Sequence, residues 1–240
     1  MEDAEFDHHA QRYDEELAQG LRLTGEGKEF FAEGRVTWMR RRWLKAPWTA
    51  NSILDFGCGT GGSCDPLGRE FGGSYVGVDP SMASLEEARR LYNGSGATFF
   101  TESGKVEDST MDLAFTNGVF HHIPPDQRAA CLREIWRTLT PGGRFAFWEN
   151  NRWNPIVHWV MARVPFDADA QMLFPFQARA MLREAGFEIE GTDFAFVFPA
   201  ALKGLRWLEP LLAKLPFGGQ YLVIARKPKG TANCDQNGNC

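Results

Sequence analysis

Short apolar runs alternate with helical patterns through the middle of the chain. Five runs bounded by Gly, Asp or Pro predict β-strands: Ser52 to Phe56, Ser74 to Val78, Ala97 to Thr101, Met111 to Thr116 and Arg144 to Glu149. One predicted helix follows Ser81, and another runs from Pro125 to Leu139, where Pro141, Gly142 and Gly143 stop it. This alternation over about a hundred residues predicts an α/β fold with a parallel sheet covered on both faces.

The patterns continue on both sides of this core. Tyr13 to Leu44 is helical in pattern, and we expect it to pack over the open edge of the sheet. Later come a predicted helix from Phe176 to Ala185 and two predicted strands, Phe187 to Phe198 and Tyr221 to Arg226. The sequence therefore predicts a doubly wound, seven-stranded, mostly parallel sheet.

These elements suggest a division of the chain. We expect an N-terminal helical extension or lid over residues 1–45 and a core domain over residues 46–228, with a substrate-cap insert at about 152–175. Residues 229–240 are polar, so we expect a disordered tail, which contains Cys234 and Cys240.

Composition narrows the classes of function. The chain has 240 residues, 43% of them apolar and 24% charged, as in soluble globular domains. With 26 Lys and Arg against 31 Asp and Glu, the net charge is −5, which argues against nucleic acid as the principal partner. No apolar stretch approaches the roughly 20 residues that span a bilayer, and the acidic start, Met1 to Phe6, does not resemble a secretory signal. The five cysteines form no CxxC pair, so we expect a reducing, cytoplasmic location.

The first predicted strand runs into a glycine-rich turn. Gly57, Gly59 and Gly62 fit the pattern G-x-G-x-x-G, and Asp79 ends the next strand near the offset of a ribose-binding acid. A nicotinamide-dependent oxidoreductase is therefore one interpretation. Asp55 favours a different adenosine ligand, because a fixed carboxylate at the turn attracts an ammonium group and repels a pyrophosphate.

Four motifs occur in a diagnostic order between Ser52 and Asn150. They are LDFGCGTG at residues 54–61, VGVD at 76–79, GVFHHI at 118–123 and LTPGG at 139–143. Together they resemble the class I S-adenosylmethionine-dependent methyltransferases. The resemblance implies a Rossmann-like fold, S-adenosylmethionine as the cofactor and methyl transfer as the activity.

The resemblance also implies cofactor-binding positions. The loop that holds the methionine part matches Asp55, Gly57, Cys58, Gly59 and Gly61. The acid that takes both ribose hydroxyls matches Asp79, as a carboxylate can accept two hydrogen bonds from a cis-diol. The positions that flank or contact the adenine match Pro80, Ser81 and Met82, with Glu102 or Ser103 for its amino group. The positions expected to line the methionine end are Asn117 and Gly118.

The methyl of a sulfonium is already activated, so the protein must chiefly align the acceptor and exclude water. A hydroxyl acceptor also needs a general base, for which His121 and His122 are candidates. Adjacent side chains point in different directions, so at most one should face the cofactor; the alternative is that both only pack or hydrogen-bond in their loop. No His, Asp and Glu set has metal-ligand spacing, and we expect no metal.

We expect a small-molecule acceptor with an oxygen nucleophile; a saccharide, a lipid-linked molecule or a secondary metabolite fits this class. Its pocket should be covered by residues 13–44 and 152–174. Aromatic residues of these segments either line the pocket or belong to the core: Tyr13, Phe30, Phe31, Trp38, Trp153, Trp159 and Phe166. The polar residues Asn150, Asn151 and Asn154 either orient the acceptor or satisfy a turn.

Ala200 to Leu215 is amphipathic and has two interpretations. We favour burial of its apolar stripe on the sheet or against a second subunit, in a monomer or a homodimer, over contact with a membrane or a lipid-linked acceptor. For the whole chain, a protein that binds S-adenosylmethionine without turnover remains an alternative to an enzyme.

Overall fold

A seven-stranded sheet forms the centre of the computed structural model, which describes residues 24–43, 48–163 and 170–229. The strands are β1 (Ser52–Phe56), β2 (Ser74–Val78), β3 (Thr98–Phe100), β4 (Met111–Asn117), β5 (Leu139–Asn150), β6 (Glu188–Ala195) and β7 (Gln220–Arg226). Their order is β3-β2-β1-β4-β5-β7-β6, with β7 antiparallel to both neighbours and the remaining pairs parallel. The predicted doubly wound, mostly parallel α/β fold is confirmed.

Helices cover both faces of this sheet. The α-helices are α1 (Lys28–Trp43), α2 (Cys64–Phe71), α3 (Met82–Leu91), α4 (Pro125–Thr138), α5 (Pro155–Met161), α6 (Pro175–Glu184) and α7 (Glu209–Leu212), and 3-10 helices span Ser103–Lys105 and Ala200–Leu208. As predicted, Ser81 caps α3: its hydroxyl accepts the Ser84 N–H at 3.1 Å. In the part of the chain described, no helix has the length and apolar character needed to cross a membrane.

Alternate residues of the central strands point to opposite faces, and each face has its own core. Ile53 and Leu113 pack in one cluster with side chains of α1, α2 and α3. Leu54 and Ala114 pack in the other with side chains of α4 and α6. Because both faces are buried, the central strands are mostly apolar, which is why they stand out in the sequence.

The main error in the predicted elements lies around Pro141. Helix α4 ends at Thr138, because Leu139 adopts an extended backbone (φ −69°, ψ 140°) and already pairs with Met111 of β4. Strand β5 therefore starts at Leu139, five residues before the predicted start, and contains the proline and both glycines. A register irregularity between Met111 and Leu113 accommodates this segment.

Helix α1 packs against the edge strand β6 and its neighbour β7, and its buried side chains join the core on one face of the sheet. Trp38 Nε1 donates to Asp193 Oδ2 at 3.1 Å, and Arg42 Nε is 3.0 Å from the same oxygen. Arg35 donates to Gln220 Oε1 at 3.1 Å. These partners belong to β6 and β7, so α1 crosses the sheet near the carboxyl ends of its parallel strands. Residues 13–23 and 44 of the predicted helix fall outside the described residues.

The amphipathic segment at 200–215 forms a 3-10 helix followed by the short α7. Most of its large apolar side chains are exposed, including Trp207 and Leu211. The predicted burial on the sheet is therefore wrong for these side chains, and burial against a second subunit stays a prediction. The predicted cap insert is described except for residues 164–169, and the predicted tail only at residue 229.

Candidate active site

A cavity of about 1020 Å³ opens where β1, β2 and β4 end. Its walls are the loop after β1, the end of β2, the turn after β3, the loop after β4 and the first half of α1. The strand order reverses between β1 and β4, and open α/β sheets bind ligands in the crevice at such a switch point.

The glycine loop after β1 forms the floor of this cavity. Gly57 has φ +78°, and a Cβ there would lie 2.2 Å from Val119 Cγ2, so both backbone angle and space require glycine. Gly57 and Cys58 donate backbone N–H groups to the carbonyl of Val78 at 2.7 and 3.1 Å. A Cβ on Gly59 would meet no atom within 4 Å, so the loop presents bare backbone to open space.

Asp79 joins this loop to the end of β2. Its Oδ2 accepts the Gly59 N–H at 2.8 Å and its Oδ1 accepts the Ser81 N–H at 3.0 Å. Burial raises the pKa of Asp79, and the two backbone hydrogen bonds oppose that rise. A carboxylate has about four acceptor positions, so two remain for a ligand in the cavity that it lines.

Asp55 lies at the end of β1 and is almost fully buried. Tyr75 donates its hydroxyl to Asp55 Oδ2 at 2.6 Å. Burial raises the pKa of Asp55 to about 7; the Tyr75 hydrogen bond and the charge of Arg35 act against this, while the charge of Asp79 adds to it. Asp55 is therefore poised between its neutral and charged forms near neutral pH, and a cation beside it would favour the carboxylate.

Most of the other positions that the resemblance implies for the cofactor lie in the cavity wall, and two do not. Those in the wall, besides Asp55 and Asp79, are Gly57, Cys58, Gly59, Pro80, Ser81, Glu102, Ser103, Asn117 and Gly118. Two are not in the wall. Gly61 packs on Tyr92, whose ring would lie 2.7 Å from a Cβ, and Met82 is 48% exposed at the first turn of α3. The geometry thus gives no support to the adenine contact expected of Met82.

Asn117 ends β4 beside the cavity. Its Oδ1 atom is buried and has no hydrogen-bond partner among the described residues. A buried acceptor without a partner is costly, so this atom fits a donor group on a ligand.

The two histidines after β4 have different surroundings. His122 lines the cavity, whereas His121 is not part of its wall and is buried with Nδ1 2.5 Å from Glu149 Oε2. Glu149 Oε1 accepts the Phe120 N–H at 2.8 Å, so this buried carboxylate holds the loop at two points. As expected for adjacent residues, only one histidine faces the cavity.

Several residues of the site were not found from the sequence. Glu149 is one of them. The sequence feature that could have identified it is an acidic residue near the carboxyl end of an otherwise apolar strand segment. The wall contributed by α1 is another, and it includes Lys28, Glu29, Ala32, Glu33 and Arg35. No sequence motif marks these positions, because α1 reaches the cavity only through its packing on β6 and β7.

The residues considered for the acceptor pocket have structural roles where they are described. Asn151 and Asn154 donate side-chain N–H groups to the carbonyl of Gly218 at 2.8 and 3.3 Å, which favours the satisfied turn. The aromatic candidates do not line the cavity: Phe30, Phe31, Trp38, Trp153 and Trp159. Tyr13 and Phe166 lie outside the described residues. Within the described ranges, no cluster of three or more His, Cys, Asp or Glu side chains could hold a metal ion.

The fold and the cavity define a Rossmann-like α/β protein with a large cavity at the switch point. Residues 53–143 match a family described as methyltransferase domain. The chain is 33% identical over 104 residues to the O-methyltransferase resE of Aspergillus sclerotiorum, covering 39% of this chain and 38% of that protein. It is 25% identical to a ubiquinone biosynthesis O-methyltransferase of Maricaulis maris (strain MCS10), covering 77% and 74%.

A solved structure shares the fold. The S-adenosylmethionine-dependent methyltransferase from Mesorhizobium loti superposes with a TM-score of 0.58 at 23% identity, covering 81% of this chain and 99% of that one. The matched family model, these relatives and the shared fold together support a class I S-adenosylmethionine-dependent methyltransferase, for which they imply S-adenosylmethionine as the cofactor. Among the curated relatives, several are matched over only about half of their length or less.

Proposed function

We propose that the protein transfers a methyl group from S-adenosylmethionine to a small-molecule acceptor, with an oxygen as the attacking atom. The observation that supports this most is the single cavity that joins the glycine loop and Asp79 to His122 and α1. It has room for a cofactor and a small acceptor, since pockets for small molecules usually measure about 300 to 1,000 Å³. The two relatives described above, both named O-methyltransferases, favour oxygen.

The residues present fit the cofactor. Asp79 has acceptor positions left for a cis-diol, Asn117 Oδ1 is a buried acceptor without a partner among the described residues, and Gly59 leaves open space over the backbone. We assign Asp79 to the ribose, and Asn117 with Asp55 to the cationic methionine end. When bound, the cofactor supplies a methyl group already activated by the sulfonium.

The protein then has two tasks, alignment and proton removal. Glu149 fixes the loop through Phe120 and His121, and that loop carries His122 into the cavity wall. We assign His122 as the general base that accepts the proton of a hydroxyl acceptor as it attacks. His121, held against Glu149, is a positioning residue. We assign to the wall formed by α1 the role of limiting the entry of water into the same space.

The alternatives make different predictions. The match of residues 53–143 to a methyltransferase family does not favour the nicotinamide-dependent oxidoreductase considered from the glycine pattern. A protein that binds S-adenosylmethionine without turnover shares every cofactor contact with the enzyme, so it is distinguished only by activity. The expected cytoplasmic location and the monomer or homodimer state stay predictions.

The test is turnover on defined acceptor classes. The purified chain is incubated with S-adenosylmethionine and separate pools of phenols, aliphatic alcohols, carboxylic acids and amines, and S-adenosylhomocysteine formation is measured. We expect product with a hydroxyl pool and its loss in Asp79→Ala. Product only with the amine pool would reject the oxygen assignment, and binding without product in any pool would favour the silent protein.

A further inference from the structure

An exposed apolar surface lies at the same end of the sheet as the cavity. It consists of residues 152–163, which follow β5, and residues 197–219, which lie between β6 and β7; we call it the apolar rim. Asn154 joins the two segments by donating to the carbonyl of Phe217 at 2.9 Å. Its most exposed large side chains are Ile156 (65%), Trp207 (72%), Leu211 (75%) and Phe217 (58%). An exposed cluster of this kind marks an interaction surface.

The charge of the apolar rim is opposite to that of the chain. The whole chain has a net charge of −5. The rim has five basic residues, Arg152, Arg163, Lys203, Arg206 and Lys214. Its one acidic residue, Glu209, is buried and accepts the backbone N–H groups of residues 196–198. Arg206 and Lys214 pair with carboxylates outside the rim, those of Glu26 and Asp193, whereas no ion pair among the described residues neutralises Arg152, Arg163 or Lys203. The rim therefore keeps a net positive charge.

Some of these cations are also held in place. Arg206 pairs with Glu26 at 2.6 Å and lies 4.3 Å from the centre of the Phe30 ring, so the rim contacts the segment leading into α1. Lys214 pairs with buried Asp193, which Arg42 also contacts. Arg163 lies 3.7 Å over the ring of Trp159. Three of the basic groups of the rim are thus held in fixed positions, and one of them, Arg163, lies over the exposed ring of Trp159.

We propose that the apolar rim docks the protein on an anionic lipid surface. Exposed tryptophan and leucine with flanking lysine and arginine are the composition of segments that lie in a membrane interface, with apolar side chains inserted and cations at the headgroups. A symmetric contact between two copies through this surface would bring like charges together, which is unfavourable. The rim follows β5 and β6, which end at the same edge of the sheet as β1, β2 and β4. A protein docked through the rim would therefore have the cavity end of its sheet directed toward the membrane.

This inference goes beyond the proposed methyl transfer and is tested without cofactor or acceptor. The full chain is sedimented with vesicles of equal parts phosphatidylglycerol and phosphatidylcholine, and with vesicles of phosphatidylcholine alone. We expect binding to the anionic vesicles that is at least about tenfold stronger than to the neutral ones and is lost in about 0.5 M NaCl, where charges are screened within less than 10 Å.

Two variants and their matched controls assign the binding to the rim. The double variant Trp207→Ser with Leu211→Ser should abolish sedimentation, whereas Met82→Ser, which removes an exposed apolar side chain from α3, should not. Lys203→Glu should weaken binding about tenfold. Lys105→Glu makes the same charge change beyond β3, at the opposite edge of the sheet, and should have little effect. Lys203→Glu changes one exposed side chain and keeps the test valid if the double variant unfolds.

Three results would overturn the proposal. The first is no binding to anionic vesicles. The second is equal binding to both vesicle types without salt dependence. The third is a dimer in solution that dissociates in Trp207→Ser while the vesicles recover no protein, which would assign the rim to a second copy of the chain.

Discussion

Replacement of Asp55 by Asn should change how the stability of the protein depends on pH. Burial raises the pKa of Asp55 from 3.8 to about 7 in the folded protein. Between these values the folded state holds a proton that the unfolded chain has released, so folding becomes less favourable as pH rises toward 7, and the cost stays constant above 7. A shift of about three pKa units corresponds to about 4 kcal/mol at high pH.

The measurable quantity is the change in the free energy of unfolding between two pH values. From pH 5 to pH 8, Asp55 should lower the free energy of unfolding by about 2 to 3 kcal/mol, and Asn cannot make this contribution. For a chain of this size, the Tm of the wild type should therefore fall by roughly 5–10 °C more than the Tm of Asp55→Asn when the pH is raised from 5 to 8. The Asn side chain can still accept the Tyr75 hydroxyl, so the principal hydrogen bond is kept.

Thermal unfolding without cofactor, at pH 5 and pH 8, is the assay. Asp126→Asn, which removes an exposed carboxylate from α4, controls for the change in net charge. The wild type and Asp126→Asn should show parallel pH dependence, and Asp55→Asn a flatter one. Equal slopes for all three proteins would refute the assignment of a raised pKa to Asp55.

Other substitutions test the loops around the cavity. His122→Gln should lower kcat with a hydroxyl acceptor by about 100-fold or more and leave the Kd for S-adenosylmethionine unchanged; a normal kcat would exclude it as the base. Glu149→Gln should destabilise the protein by about 1–3 kcal/mol in urea unfolding, because one of the two hydrogen-bonded groups it holds loses its partner, and unchanged stability would contradict that role. Gly57→Ala should cost more than Gly62→Ala, by at least about 1–3 kcal/mol, since only the first has a positive φ and a clash with Val119; equal Tm values would contradict the loop geometry.

The fold could be predicted from the sequence because its signals are local. Buried parallel strands are short apolar runs between glycines and prolines, and every predicted strand is present within a few residues except at the start of β5. There, Pro141 with two glycines looks like a stop signal, but pairing with β4 overrides it. Strand pairing is a long-range effect, and one sequence does not contain it.

The candidate site was predictable in its motifs and not in its long-range contacts. The loop at Gly57 and the acid Asp79 lie in consecutive motifs, and the structure brings both to one cavity. Glu149 is 28 residues from His121, and Arg35 reaches the cavity on a helix held by β6 and β7. Asp55 was expected as a fixed charge, but its burial raises its pKa to about 7 although the Tyr75 hydrogen bond acts to lower it. That effect depends on packing, which a motif does not specify.

Calorimetry tests the cofactor site most directly. The purified chain and Asp79→Ala are titrated with S-adenosylmethionine, S-adenosylhomocysteine and NADH at pH 8. We expect the wild type to bind the first two and not NADH, and Asp79→Ala, with its fold intact by circular dichroism, to bind neither of the first two measurably. Binding of NADH alone, or unchanged affinity of Asp79→Ala for S-adenosylmethionine, would contradict the assignment of this cavity to S-adenosylmethionine.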